Sequence, residues 1–300
     1  MWFIFACLGY FLLALVFILD KLILTKSVSK PVVYTFYSTI FLFGALLAWP
    51  FGVELLNDFD WIVAIFSGVT FGLAMWALFI GLKTGETSHI SPFNGALVTI
   101  FTYLIADYFL GEKLTSVQLI GLAILVFSSL LLSFEKSQKH NGFHVGFLWA
   151  GLSGLLFAFS HVSAKYLYDI YPFLTAFVWT RSSIGLVGLF TLLFPSVRHS
   201  FKKTKNKKES DKNKKSVVLV VMDKILAVIA IILIQYSASI GSVAPVMALS
   251  GLQFVFMFIM VYLSTKFLPI LFKEYFTKRE ITVEVLAIFF VLVGSMLFVI

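Results

Sequence analysis

Charge is scarce in this sequence. Asp and Glu number 15 in 300 residues, and charged residues of both signs make up 13%, about half the usual share. That composition excludes an ordinary water-soluble globular protein. Cys7 is the only cysteine, so no intramolecular disulfide is possible. No HExxH pair and no GxxxxGK[ST] loop occurs. The sequence therefore offers neither a zinc-protease site nor the phosphate cradle of an ATP-driven pump. No cofactor and no metal site is expected. The net charge of +8 does not point to nucleic acid. Much of it lies in one run, FKKTKNKKESDKNKKS at 201–216, with no stacking aromatics interleaved.

What is abundant is grease. Hydrophobic residues make up 60% of the chain, with 35 phenylalanines. They fall in long blocks rather than alternating stripes, the pattern of membrane spans. Ten blocks approach the roughly 20 residues that cross a bilayer: 2–19, 32–49, 61–81, 90–109, 117–134, 145–168, 173–194, 225–240, 243–263 and 283–300. Backbone groups in lipid must bond within their own segment, so each block predicts a helix. An outer-membrane barrel would instead alternate over about ten residues per strand. MWFIFACLGYFLLALVFIL lacks a basic leader and reads as the first span, not a cleaved signal.

Alternating the spans across the bilayer sorts the basic residues. Twenty of the 23 fall at one end, among them Lys21, Lys30, Lys83, Lys136, Arg198, Lys224 and the lysine run. Lys113 and Lys165 lie at the other end, beside the acidic loop FGVELLNDFDW. The positive-inside rule puts the basic end in the cytoplasm and both termini outside. The lysine run, in a loop at 197–216, is then a solvated tether near anionic headgroups.

The chain also repeats itself. Ser38, Ile40 and Gly44 match Ser182, Ile184 and Gly188 at one offset. Further on, Ser91-Pro92 matches Ala244-Pro245, and EKLTSVQLIGLAILVFSSLLL matches REITVEVLAIFFVLVGSMLFV. The matches keep their order, which divides the chain into repeats at 1–134 and 135–300. Five spans per repeat is odd, so the two must be inverted in the membrane.

The stretches GLKTGETSHISPFNGALV, YFLGEKLTSVQLIG and SASIGSVAPVMALSGLQFVF resemble the drug/metabolite transporter superfamily, most closely its ten-helix EamA-type members. The resemblance covers nearly the whole chain. It implies an all-α membrane fold of two inverted five-helix repeats and a carrier of small molecules. It also implies cytoplasmic termini, opposite to the charge rule; the charges are followed here.

A charge deep in a span suggests function. Arg181, in FVWTRSSIG, lies eight residues into its block, about 12 Å along the helix. There it either holds a carboxylate or phosphate, or supports a loosened helix end or snorkels. Trp179 flanks it. His161, Lys165 and Asp169 form a stripe at i, i+4, i+8. Lys165 and Asp169 suit an interfacial ion pair, with Tyr166, Tyr168 and Tyr171 as an aromatic belt; His161 is deeper. Asn94, Gln235 and Trp76 are further candidates for lining a pocket. Pro92 and Pro245 occupy matching places in the repeats, and paired interruptions of that kind point to a central site. Either proline also fits the first turn of an ordinary helix. Gly68 with Gly72, and Gly81 with Gly85, suit close helix packing.

No acidic residue falls at the middle of a span, which speaks against a proton-driven cation exporter. The reading is a secondary transporter in the cell membrane, exporting or exchanging an anionic or zwitterionic metabolite such as an amino acid or organic acid. It would act as a monomer or homodimer with the lipid bilayer and its cargo as partners. The alternative is an intramembrane enzyme acting on lipid or lipid-linked substrates.

Overall fold

The computed structural model describes residues 1–24, 30–84, 87–133, 145–201, 210–267 and 278–298. Expectations for Lys26, Gly85, Lys136, Lys139, Lys273 and the lysines at 202–208 lie outside them. So do the side chains of Asp20, Lys21, Ser88, His89, Ser210 and Glu284.

The first half holds α1 (Trp2–Leu24), α2 (Pro31–Ile40), a 3-10 segment (Phe41–Phe51), α3 (Asp58–Thr84), α4 (Thr87–Leu110) and α5 (Ser116–Ser133). The second holds α6 (Val145–Ile170), α7 (Phe173–Thr191), the short α8 (Pro195–Ser200), α9 (Ser210–Ile240), α10 (Val243–Ala248), α11 (Gly251–Phe267) and α12 (Lys278–Met296). Among the described residues, eight helical stretches are long and apolar enough to cross a membrane, and Ser116–Leu131 and Val285–Met296 are shorter apolar helices. The fold is all-α, as the apolar blocks predict.

Two blocks depart from plain helices. The second tightens from α to 3-10 at Phe41 and ends at Gly52 in the left-handed region, φ 90°. Pro50 supplies no N–H to an α ladder there. At about 2.0 Å per residue a 3-10 helix reaches further than an α-helix of equal length, so a short block still crosses the core. The ninth breaks into α10 and α11. Ser250 N–H bonds the Met247 carbonyl and Gln253 N–H the Ser250 carbonyl, a tight link between the two pieces.

The expected pair of interruptions is present in the second half only. Pro245 lies in α10, just before the break. Pro92 lies inside α4, which runs on through it from Thr87 to Leu110. Pro92 is the sixth residue of that helix, where it withholds the N–H that would reach the carbonyl of residue 88.

The packing has a reciprocal pattern. Laying α1–α5 on the last five spans in order pairs α1 with α6, α2 with α7, α3 with α9, α4 with α10–α11 and α5 with α12. Under that exchange the α3–α6 seam becomes α9–α1, and α4–α6 becomes α1–α11; α2–α7 and α5–α12 map onto themselves. All of these seams are present. Polar ties follow the same rule. Ser67 Oγ donates to the Ser160 carbonyl across α3–α6 (2.9 Å), and Ser237 Oγ to the Trp2 carbonyl across α9–α1 (2.7 Å). Asn94 Nδ2 donates to the Ala150 carbonyl across α4–α6 (2.9 Å), and the Tyr10 hydroxyl to the Val246 carbonyl across α1–α10 (2.9 Å). Ties of this kind contribute about 0.6 kcal/mol each in a membrane, so close packing carries most of the association. Gly68 illustrates it: a Cβ built there would stand 2.4 Å from Ser183 Cβ on α7.

Candidate functional site

Helix α7 is polar for a membrane span, yet most of its hydroxyls are spent on their own helix. Thr180 donates to the Ala176 carbonyl (2.7 Å), and Ser183 (2.7 Å) and Ser182 (3.2 Å) to the Trp179 carbonyl. Such back-bonding lets serine and threonine sit in an apolar layer without outside partners. Arg181 has no such option. It is 2% exposed, and its Nε has no hydrogen-bond partner. The ion pairs among described residues, Lys113–Asp107, Lys165–Asp169 and Lys224–Asp223, leave it out.

Instead Arg181 is surrounded by rings. Its guanidinium carbon lies over the Phe71 ring at 4.8 Å and the Phe177 ring at 5.8 Å. Cation–π contact compensates a desolvated charge only in part, by about 2 kcal/mol. The Tyr168 hydroxyl stands beside the guanidinium and donates to Gln235 Oε1 at 3.1 Å. His161 completes the group. Its ring stacks on Phe157 (centroids 6.1 Å) and meets Phe71 edge-on (6.0 Å), and its Nδ1 has no partner. Residues from α3, α6, α7 and α9 thus converge on one unpaired guanidinium. Two orphaned nitrogens in one buried cluster mark a place where polar groups are left unmatched.

Arg181, His161 and Gln235, expected from the sequence, stand together here. The other three expected residues stand elsewhere. Trp179 points away from Arg181, since two residues along a helix turn by about 200°. Its indole N–H donates to the Glu54 carbonyl (2.8 Å), and its ring packs on Trp49 and Trp61. Trp76 packs on Phe194. Asn94 spends its amide on Ala150. Of the three tyrosines, Tyr168 turns inward, while Tyr171 bonds Asp60 at 2.7 Å. Tyr168 is the residue sequence reasoning missed. Its spacing of seven from His161 puts both on one helix face, a signal that was available.

The end of the bundle that holds the N-terminus is cross-linked by polar contacts. Lys165 pairs with Asp169 at 2.8 Å and donates to the Ser239 carbonyl at 3.4 Å. The loop after Gly52 is held on α7 by Glu54 N–H donating to Thr175 Oγ1 (3.1 Å). Glu112 accepts the Val243 N–H on both carboxylate oxygens, at 3.1 and 3.2 Å.

Residues 1–134 match the EamA-like transporter family. The match spans less than half of the chain, so the likeness to a transporter family is that of its first five spans. Eight apolar helical stretches among the described residues are long enough to cross a bilayer, which makes the chain a multi-pass membrane protein. No curated protein matches it. A solved structure, titled only as the crystal structure of a protein, shares its fold with a TM-score of 0.65. The two are 17% identical, and the match covers 99% of this EamA-like chain and 94% of the other. At that identity the likeness extends to the fold alone.

Proposed function

We propose that this EamA-like protein is a secondary transporter of a small anionic or zwitterionic metabolite, working as an exporter or exchanger by alternating access. The observation that carries the reading is Arg181: a fully buried guanidinium without a carboxylate, set where both halves meet. An unpaired charge at that depth is costly, and a cargo anion would supply the missing partner. Inverted repeats at 1–134 and 135–300 are supported by the exchanging seams and by the family match ending at 134. The enzyme reading draws no support, because Lys165 and Asp169 are engaged with each other and His161 stands apart among rings. The deciding experiment reconstitutes the protein in proteoliposomes and measures carboxylate- and amino-acid-dependent counterflow. Absence of flux for every small anion and zwitterion offered would overturn the reading.

The termini lie outside, as the charges direct. In a Cys7→Ser background, a cysteine at Ser210 should resist impermeant thiol reagents added to intact cells. Rapid labelling there would put the termini in the cytoplasm.

Access at the terminal end depends on α10, whose six residues are all buried. First-half side chains strap it at both ends: Glu112 on its first amide, Tyr10 on the Val246 carbonyl and Thr99 on the Met247 carbonyl (3.4 Å). Opening that end requires α10 to leave these straps. Burial raises the Glu112 carboxyl above its ordinary range, opposed by the Val243 and Ala244 amides and by Lys165, while Asp169 adds to the rise. The sign follows. The closed end holds the proton more tightly than an open end in which Glu112 meets water. Closure is therefore favoured below the ordinary carboxylate range, and that preference is lost as pH rises through the raised value. Labelling of Val246→Cys, normalised to the exposed Leu55→Cys, should accelerate across that rise and become flat with pH in Glu112→Gln. An unchanged pH profile in Glu112→Gln removes Glu112 from the gate.

A further inference from the structure

We propose that the cargo is a monoanion with a flat aromatic body and no ammonium group, of the aryl carboxylate class. The inference rests on reading Arg181 as the cargo anchor and narrows it.

The anchor has a shape. With Phe71 and Phe177 against the guanidinium and Tyr168 beside it, the unpartnered Nε edge is what remains for an anion. A planar carboxylate fits such an edge through two parallel N–H bonds, whereas a compact cation finds nothing there.

The wall beside the anchor is aromatic. Phe71 and Phe157 meet edge-to-face at 5.0 Å, and Phe157 lies within 16° of parallel to His161. All three rings keep some accessible surface although they stand in the cluster around a wholly buried arginine. A flat body can add to this edge-and-face array, while a saturated ring of equal size gains burial without the quadrupole match.

Among the described residues the cluster holds no counter-charge for an ammonium. Its polar atoms are neutral: Gln235 Oε1, the Thr180, Ser182 and Ser183 hydroxyls and His161 Nδ1. The carboxylates at the terminal end are engaged, Asp169 with Lys165 and Glu112 with α10. A desolvated ammonium without a carboxylate is costly, and the Arg181 guanidinium repels it.

The test measures binding to the purified full chain by thermal shift and titration. The probes are phenylacetate, cyclohexylacetate, phenylalanine and phenethylamine. Phenylacetate should bind at least about tenfold more tightly than phenylalanine, since an unmatched buried ammonium forfeits that much or more. Cyclohexylacetate should bind several-fold more weakly than phenylacetate, and phenethylamine should not bind. Phe71→Leu should erase the preference for the aromatic acid, and Arg181→Gln should abolish binding of both acids. Phenylalanine binding as well as phenylacetate overturns this inference and leaves the Arg181 anchor standing. Equal binding of the two acids overturns its aromatic part. No shift with any probe overturns it outright. Binding of phenethylamine alone, or acid binding undiminished in Arg181→Gln, overturns the anchor as well. Should Arg181→Gln not fold, Phe71→Leu still decides the aromatic wall.

Discussion

Replacing Arg181 by methionine should cut cargo-dependent flux in proteoliposomes by about a hundredfold or more, and the cargo-free protein should melt at a higher temperature than the original. The two halves of that result have one cause. In the empty chain the guanidinium is 2% exposed, has an unpartnered Nε, and takes only ring contacts and one tyrosine. A well-packed apolar side chain in place of buried ionic groups is often neutral or stabilising by about 1–4 kcal/mol. Methionine fills a similar volume among Phe71 and Phe177 and carries no charge to desolvate. Cargo binding, by contrast, loses its only cation. Arg181→Lys should fall between, because an ammonium keeps the charge but not the planar edge. A drop in melting temperature of the cargo-free Arg181→Met protein, with flux intact, would make Arg181 a structural residue and end its role as anchor.

Gly68→Ala should be strongly destabilising for a one-carbon change. The added Cβ would meet Ser183 Cβ at 2.4 Å, the Ser183 carbonyl carbon at 2.6 Å and the Ile184 nitrogen at 2.7 Å. Two of these are backbone atoms, so no rotamer change relieves the clash and α3 must move off α7. The separation also unseats Gly72 from Val187, where a Cβ has only 2.7 Å. Overpacking of this kind costs about 1–3 kcal/mol, and Gly68→Val should exceed it. Gly44→Ala is the matched control, with nothing within 4 Å of its Cβ. Thermal melts in detergent should show a large loss for Gly68→Ala and little for Gly44→Ala. Equal melting temperatures for the two would show that α3 and α7 do not approach as described.

The same glycines show what could be read in advance. Small residues spaced by four in an apolar block announce a close helix approach, and Gly68 and Gly72 make one. They do not say which helix approaches; Ser183 and Val187 on α7 are visible only in three dimensions. Arg181 was legible because a charge inside a span is an anomaly whatever surrounds it. Its neighbours in sequence misled: Trp179 turns outward to Glu54, and Ser182 and Ser183 bond their own helix. Phe71 and Tyr168, which stand beside it, and Gln235, bonded to Tyr168, come from three other helices. Pro92 and Pro245 looked equivalent, yet only the second precedes a broken helix. The Val246 carbonyl at that break is taken by the Tyr10 hydroxyl, a partner from the other half that no sequence spacing announces.

By itself the sequence determined that the chain is helical and crosses a membrane, because lipid tolerates no unpaired backbone and long apolar runs have no other stable form. It also determined that one cation must be placed deep. The tertiary structure alone decided what that cation faces, because contacts between helices depend on rotation and offset, and neither is written in the period of any single segment.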